Sequence, residues 1–146
     1  MGENRLPIRT AQWIVEGRVL YAYAWGVLTI DELLTHDARM IELADAGTAP
    51  VHALLYSDIE KPPSLRLDVA RSISQALGHP ALGWVILIDQ QNAIVQFISR
   101  TLARFFGVKY KNFETLDDAI TFLKAEDPNI DWNQLNDSPM SEHSGQ

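Results

Sequence analysis

Two apolar stretches, Val51-His-Ala-Leu-Leu-Tyr56 and Trp84-Val-Ile-Leu-Ile88, decide the fold of this chain. Both are apolar at nearly every position, and the polar residues Ser57, Asp58 and Asp89 follow them directly. Strands that are apolar on both faces are typical of parallel sheets covered by helices on both sides. Binding sites in such folds collect beyond the carboxyl ends of the strands. The two stretches therefore predict an α/β fold and place a candidate site near Asp58 and Asp89.

The segments around these strands complete the order ββαβαβαβα. Helix boundaries follow from the capping residues, because Ser, Thr and Asn are favoured N-caps and Gly is favoured just beyond a helix end. Since crossovers between parallel strands are right-handed, this order predicts a mainly parallel five-stranded sheet with four helices and one antiparallel strand near the start. The predicted elements are strands 12–16, 19–25, 51–56, 82–88 and 108–113, helices that follow Thr29, Ser64, Asn92 and Thr115, a loop at 58–63 and a left-handed Gly47.

Length and composition limit the class of protein. At 146 residues the chain is long enough for one domain, which we place at 11–127, after an N-terminal extension at 1–10. The polar tail at 128–146 is expected to be disordered from about residue 136. With no cysteine, the chain excludes disulfides, thiolate catalysis and cysteine-bound metals. No stretch approaches the ~20 apolar residues of a membrane span, and no signal peptide is evident, so we expect no integral membrane segment and a cytoplasmic location.

The net charge of −7 argues against a nucleic-acid-binding protein, which would need a basic surface. The charge is nevertheless uneven, because no acidic residue occurs between Asp89 and Glu114. A solvated helix face followed by an edge strand is the favoured interpretation, and a docking patch for an acidic protein or an anionic lipid is the alternative. The basic residues of this segment are Arg100, Arg104, Lys109 and Lys111.

The predicted third helix, which follows Asn92, is apolar around far more than one third of its surface. Such a helix is either buried on two sides or in contact with a partner. Self-association is the simplest way to cover it, so we expect a homodimer. The residues of this predicted dimer or apolar-ligand face are Ile94, Phe97, Ile98, Leu102 and Phe105.

No group of residues carries a recognisable catalytic chemistry. Asp58 and Asp89, with Asn92 in the same predicted strand-end cleft, offer oxygen ligands for Mg²⁺, but no third carboxylate or phosphate-binding loop accompanies them. The four histidines lack metal-ligand spacing, and Ser57 lacks the Gly-x-Ser-x-Gly motif of an exposed nucleophile. We therefore predict no catalytic residue, no metal, no cofactor and no enzyme activity.

The element order and several local segments resemble the STAS/SpoIIAA-like family over residues 11 to about 127. The resemblance implies a small non-enzymatic module with the SpoIIAA-like fold. It is stronger in element order than in any diagnostic motif. The segments that carry it are Val15-Glu-Gly-Arg-Val-Leu-Tyr21, Gly26-Val-Leu-Thr-Ile-Asp-Glu-Leu33, His79-Pro-Ala-Leu-Gly-Trp-Val85, Phe106-Gly-Val-Lys-Tyr110 and Thr115-Leu-Asp-Asp-Ala119.

The resemblance also implies two functions. Anti-sigma-factor antagonists of this family bind a partner kinase through the loop after the third strand, where a serine in an Asp-Ser-Ser-Gly-like stretch is phosphorylated. This chain departs from that pattern with Ser57-Asp-Ile-Glu-Lys-Pro-Pro-Ser64, which leaves Ser64 at the equivalent helix start. The candidate partner or phosphorylation loop comprises Ser57, Asp58, Lys61 and Ser64, although a plain N-cap is the favoured role of Ser64.

Some relatives are linked to lipid-binding folds of the Sec14 type. The principal hypothesis is therefore a regulatory or protein–protein interaction module. The alternative is a binder or carrier of a small apolar ligand or lipid, held between the 92–106 helix and the sheet.

Overall fold

A five-stranded sheet with four α-helices forms the structure, which is a computed structural model that describes residues 11–27, 29–61 and 67–136. The order of strands and helices along the chain is the predicted one, and the fold class is confirmed. Two short 3-10 helices, Gln75–Gly78 and Trp132–Gln134, supplement the α-helices. The strands are β1 Gln12–Val15, β2 Val19–Val27, β3 Val51–Lys61, β4 Leu82–Ile88 and β5 Lys109–Phe113, and the helices are α1 Ile30–Ala46, α2 Leu67–Ser72, α3 Ala93–Phe106 and α4 Leu116–Glu126.

The strands lie in the sheet in the same order as in the sequence, β1-β2-β3-β4-β5. β1 is antiparallel to β2, and β2 to β5 are parallel. The three connections between parallel strands all lead from one strand to its next neighbour in the same direction across the sheet. Because such connections are right-handed, α1, α2 and α3 lie on the same face. The other face is covered by α4, which packs against β4 and β5.

The two faces of the sheet differ in side-chain size near the middle of β2. On the α4 face, Tyr21, Leu54 and Ile86 form a core with buried residues of α4. On the α1 face, Ala22 and Ala53 occupy the neighbouring positions of the same strands. Because side chains alternate along a strand, β2 presents Tyr21 and Tyr23 to the α4 face and Ala22 and Ala24 to the α1 face. The small residues leave room beneath α1 and α3.

The structure corrects the predicted boundaries around β3. The loop predicted at 58–63 is wrong up to Lys61, because β3 continues to that residue beside β2. The predicted end of β2 at Trp25 is also wrong, since β2 runs to Val27. Parallel pairing to β2 supplies ladder hydrogen bonds that local sequence does not reveal. The single helix predicted after Ser64 is also wrong in its second half, since α2 ends at Ser72 and a 3-10 helix follows.

The predicted helix caps are confirmed at three helices. Thr29 and Glu32 form the capping box of α1, Asn92 caps α3, and Thr115 caps α4. The left-handed conformation predicted for Gly47 is wrong, because its φ is −90°. A Cβ atom at Gly47 would lie 2.8 Å from Cγ2 of Val51, so close packing explains the glycine there.

The described chain continues as packed structure beyond residue 127. Ile130 is buried in the core on the α4 face, and Trp132 packs against the same core. The amide of Asn136 donates a hydrogen bond to the carbonyl of Ile14 at 2.7 Å, which ties this segment to β1. The remainder of the predicted polar tail lies outside the described residues.

Candidate functional site

The four residues of the predicted partner loop do not meet in a described site. Ser57 is buried in β3, where its Oγ accepts a hydrogen bond from Nε2 of Gln90. Asp58 and Lys61 belong to β3, but their side chains, like the whole of Ser64, lie outside the described part of the structure. A partner loop with a phosphorylated serine therefore stays a prediction.

The predicted strand-end cleft is closed by its own hydrogen bonds. Asp89, which has a positive φ of 58°, accepts hydrogen bonds from the hydroxyl of Tyr56 at 3.2 Å and from Nε2 of Gln91 at 3.0 Å. Oδ1 of Asn92 accepts the amides of the first turn of α3. The amide of Asn92 in turn donates to Oε1 of the buried Gln90 at 2.7 Å. These side chains hold the β4–α3 turn in place.

Helix α3 is apolar on two sides, as its composition predicts. Leu102 is 6% exposed and faces the sheet, whereas Ile94, Phe97 and Phe105 are 60%, 54% and 57% exposed. Ile98 is partly buried and lies on the same side of the helix as Ile94, four residues earlier. The five residues predicted as one dimer or ligand face therefore divide between an inner face, with Leu102, and an outer stripe, which comprises Ile94, Phe97, Ile98 and Phe105.

A cavity of about 220 Å³ lies on the inner side of α3, between the sheet, α1 and the 3-10 helix Gln75–Gly78. Its lining is mostly apolar, with Ala22 and Leu87 from the sheet, Met40 from α1 and Leu102 from α3. An engineered apolar cavity of 150 Å³ in another protein holds benzene, so this volume suffices for a small organic molecule.

Asp37 anchors the wall of the cavity between α1 and α3. Its Oδ1 accepts the amide of Ala76 at 2.8 Å, and its Oδ2 accepts the amide of Gln75 at 3.0 Å. Burial raises the pKa of the Asp37 carboxyl group above its usual value. The two backbone hydrogen bonds lower this pKa, but their effect is smaller than that of burial. The buried carboxylate thus caps the 3-10 helix and fixes it to α1. Sequence reasoning missed this residue.

His36, one position earlier on α1, lines the cavity and has a buried Nδ1 without a hydrogen-bond partner. Burial lowers the pKa of His36 to about 4. The imidazole is therefore neutral at pH 7. Buried polar atoms in proteins are usually hydrogen-bonded, so an unpartnered one needs an explanation.

Another histidine, His52, is buried and belongs to a structural cluster outside the cavity. Nδ1 of His52 accepts the amide of Trp84 at 3.0 Å, so Nε2 carries the hydrogen and donates it to Oδ2 of Asp127 at 3.0 Å. Nη2 of Arg18 contacts the same oxygen at 3.0 Å. Burial lowers the pKa of His52 despite the opposing effect of Asp127. The cluster connects the end of α4 to the start of β3.

Replacement of Gly83 by alanine is expected to destabilise the protein by about 2 kcal/mol, because it overpacks this cluster. A Cβ atom at Gly83 would lie 2.6 Å from Cε1 and 2.7 Å from Nδ1 of the buried His52. Urea denaturation measures the effect. Gly83→Ala should cost clearly less in a His52→Ala background, where the ring is absent, and equal costs in both backgrounds would contradict the assigned clash.

The described residues contain neither a membrane-spanning helix nor a grouped set of metal ligands. None of the helices in 11–27, 29–61 and 67–136 combines the length and apolar content that a membrane crossing requires. In the same residues, no three His, Asp or Glu side chains lie close enough together to hold a metal ion.

Comparison with known proteins identifies the fold. Neither the models of known protein families nor the curated proteins give a match. A matching solved structure is the crystal structure of an uncharacterised protein of the DUF3478 family from Shewanella loihica PV-4, described as having a SpoIIAA-like fold. The two chains are 22% identical with a TM-score of 0.57, over 84% of this chain and 98% of the other. Together with the strand order described above, this likeness shows that the chain has the SpoIIAA-like fold.

Proposed function

We propose that this protein is a non-enzymatic binding module that takes up a small apolar ligand in the cavity between the sheet, α1 and α3. The observation that carries the proposal is the cavity itself, with its volume of about 220 Å³ and its mostly apolar lining. Pockets for drug-sized ligands usually measure about 300–1,000 Å³. The smaller volume here favours a compact ligand of roughly ten non-hydrogen atoms over a whole lipid, given that 150 Å³ accommodates benzene.

The cavity favours the second of the two functions that the sequence suggested. Docking of a protein through the β3–α2 loop stays a prediction, because the side chains of Asp58 and Lys61 and the whole of Ser64 lie outside the described residues. A ligand-binding module needs interior space between α3 and the sheet, and Leu102 and Val85 border such a space. Both functions use binding rather than catalysis.

Propylbenzene is expected to bind to the wild-type protein with one-to-one stoichiometry, and Ala22→Leu is expected to abolish this binding. Ala22 lines the cavity from β2, and a leucine side chain there would fill space that the ligand needs. Isothermal titration calorimetry measures both affinities. Binding should also give a negative heat-capacity change, because apolar surface is buried.

The matched control is Ala125→Leu, which makes the same substitution on an exposed position of α4. This variant should bind propylbenzene as the wild type does. Unchanged binding by a folded Ala22→Leu protein would place the ligand elsewhere, and an absence of binding by the wild type would overturn the proposed function.

The outer stripe of α3 supports a second candidate function, self-association. Ile94, Phe97 and Phe105 are each more than half exposed, and they lie on one side of a single helix. The guanidinium group of Arg71 lies 4.6 Å from the centre of the Phe105 ring, which leaves the other two residues as the apolar centre of the stripe. A two-fold axis through Phe97 would place the same patch on both subunits, as a symmetric dimer requires.

Phe97→Asp is expected to convert a dimer into a monomer, because a carboxylate buried in an apolar interface lacks a partner. Light scattering over a range of protein concentrations measures the mass. Thr121→Asp, which introduces the same charge on exposed α4, should leave the dimer intact. A wild-type protein that stays monomeric at high concentration would rule out self-association through this stripe.

A further inference from the structure

Among the described polar residues that line the cavity, His36 alone has a buried side-chain atom without a hydrogen-bond partner. Its Nδ1 is buried and has no partner. By contrast, the carboxylate of Asp37 accepts two backbone amides, and the hydroxyl of Tyr110 donates to Oδ1 of Asn112 at 3.0 Å. Ser57 is engaged by Gln90. The imidazole of His36 is therefore a polar group of the cavity with unused hydrogen-bonding capacity.

The charges around the cavity limit what His36 can bind. Burial keeps the imidazole neutral at pH 7, since it lowers the pKa of His36 to about 4. No lysine or arginine is among the described residues that line the cavity, whereas the carboxylate of Asp37 is. An anionic ligand would lie beside the Asp37 carboxylate, and no described lining residue offers a positive charge to compensate its own. The lining therefore disfavours carboxylates and phosphates.

A hydroxyl group suits His36 whichever ring nitrogen carries the hydrogen. A neutral imidazole has one donor and one acceptor nitrogen, and an alcohol can both donate and accept. We propose, on the basis of the ligand-binding function above, that the cavity is selective for a neutral ligand with a compact apolar body and one hydroxyl group, which hydrogen-bonds to His36. In this arrangement Ala22, Met40 and Leu87 contact the apolar body.

Two ligands of equal size test this selectivity. Propylbenzene and 2-phenylethanol differ by the exchange of a methyl group for a hydroxyl group, and phenylacetate supplies an anionic analogue. We expect His36→Leu to weaken the binding of 2-phenylethanol about tenfold, which is the upper end of the range for one neutral hydrogen bond. The affinity of the same variant for propylbenzene should stay equal or rise. His36→Gln, which keeps a donor and an acceptor, should retain at least part of the preference for the alcohol. Calorimetry with each variant gives the ratio of the two affinities.

The outcomes separate this inference from the proposed function. If propylbenzene binds and the affinity ratio is the same in wild type, His36→Leu and His36→Gln, the role of His36 is overturned but the ligand-binding function stands. Tighter binding of phenylacetate than of 2-phenylethanol would overturn the neutral class of ligand. If none of the three compounds binds to the folded wild type, the proposed function and the inference both fail.

Discussion

Acidification from pH 7 to pH 4 is expected to lower the free energy of unfolding by about 3 kcal/mol through His36 alone. Burial lowers the pKa of His36 from 6.5 to about 4, so the folded state binds this proton more weakly than the unfolded chain does. The stabilisation is complete above pH 6.5 and is lost as the pH falls towards 4. Urea denaturation at a series of pH values measures the loss.

A His36→Leu variant isolates this contribution. His52, whose pKa burial also lowers, adds a loss in the same direction, and Asp37, whose pKa burial raises, acts in the opposite direction near pH 4. Both groups remain in the variant, so the difference between the two pH profiles reports His36. Parallel profiles for the two proteins would show that His36 is not buried as described.

Asp37→Ala is expected to destabilise the protein by about 3 kcal/mol, because it leaves two backbone amides without their acceptor. Those amides belong to Gln75 and Ala76, at the start of the 3-10 helix that closes the cavity. Asp37→Asn retains one oxygen acceptor and should cost less. Chemical denaturation of the three proteins measures the difference in unfolding free energy.

The control for this prediction lies on the same helix. Asp31 is an exposed acidic residue in the first turn of α1, where a negative charge contributes at most about 1 kcal/mol through the helix dipole. Asp31→Ala should therefore be nearly neutral. A cost for Asp37→Ala no larger than that for Asp31→Ala would contradict the anchoring role of the buried carboxylate.

Much of the fold could be predicted because local signals and tertiary packing agree. The apolar stretch that ends at Ile88 becomes strand β4, between β3 and β5, and Thr29, Asn92 and Thr115 cap the helices that follow them. Each of these residues acts through its immediate neighbours in the chain, so the sequence carries the information directly.

The course of β3 beyond Tyr56 could not be predicted in the same way. Ser57 to Lys61 pair with β2 across the sheet, and this pairing depends on residues more than thirty positions away in the chain. The polar composition of the segment, with two prolines following, is typical of a loop. Hydrogen bonding to β2 therefore places this segment in a strand, although its local sequence favours a loop.

The cavity wall left a signal in the sequence that becomes clear only beside the structure. Asp37 occupies a position between Leu33 and Met40 that helical spacing assigns to the apolar side of α1. A polar residue at such a position implies a buried partner, although its identity depends on how α1 meets the 3-10 helix.

The cavity itself has a weaker signal in β2, where Tyr21-Ala-Tyr23-Ala24 alternates large and small residues. The alternation predicts large side chains on one face of β2 and small side chains on the other. Small side chains leave a cavity only if the covering helices do not pack closely against them, and the sequence pattern does not specify that distance.

A crystal structure of the protein equilibrated with iodobenzene, which carries a strongly anomalous scatterer, tests the ligand-binding function most directly. We expect a single anomalous peak inside the cavity, among Ala22, Leu87 and Leu102. An empty cavity, or a peak confined to the outer stripe of α3 beside Phe97, would contradict the claim that this protein binds small apolar ligands within its fold.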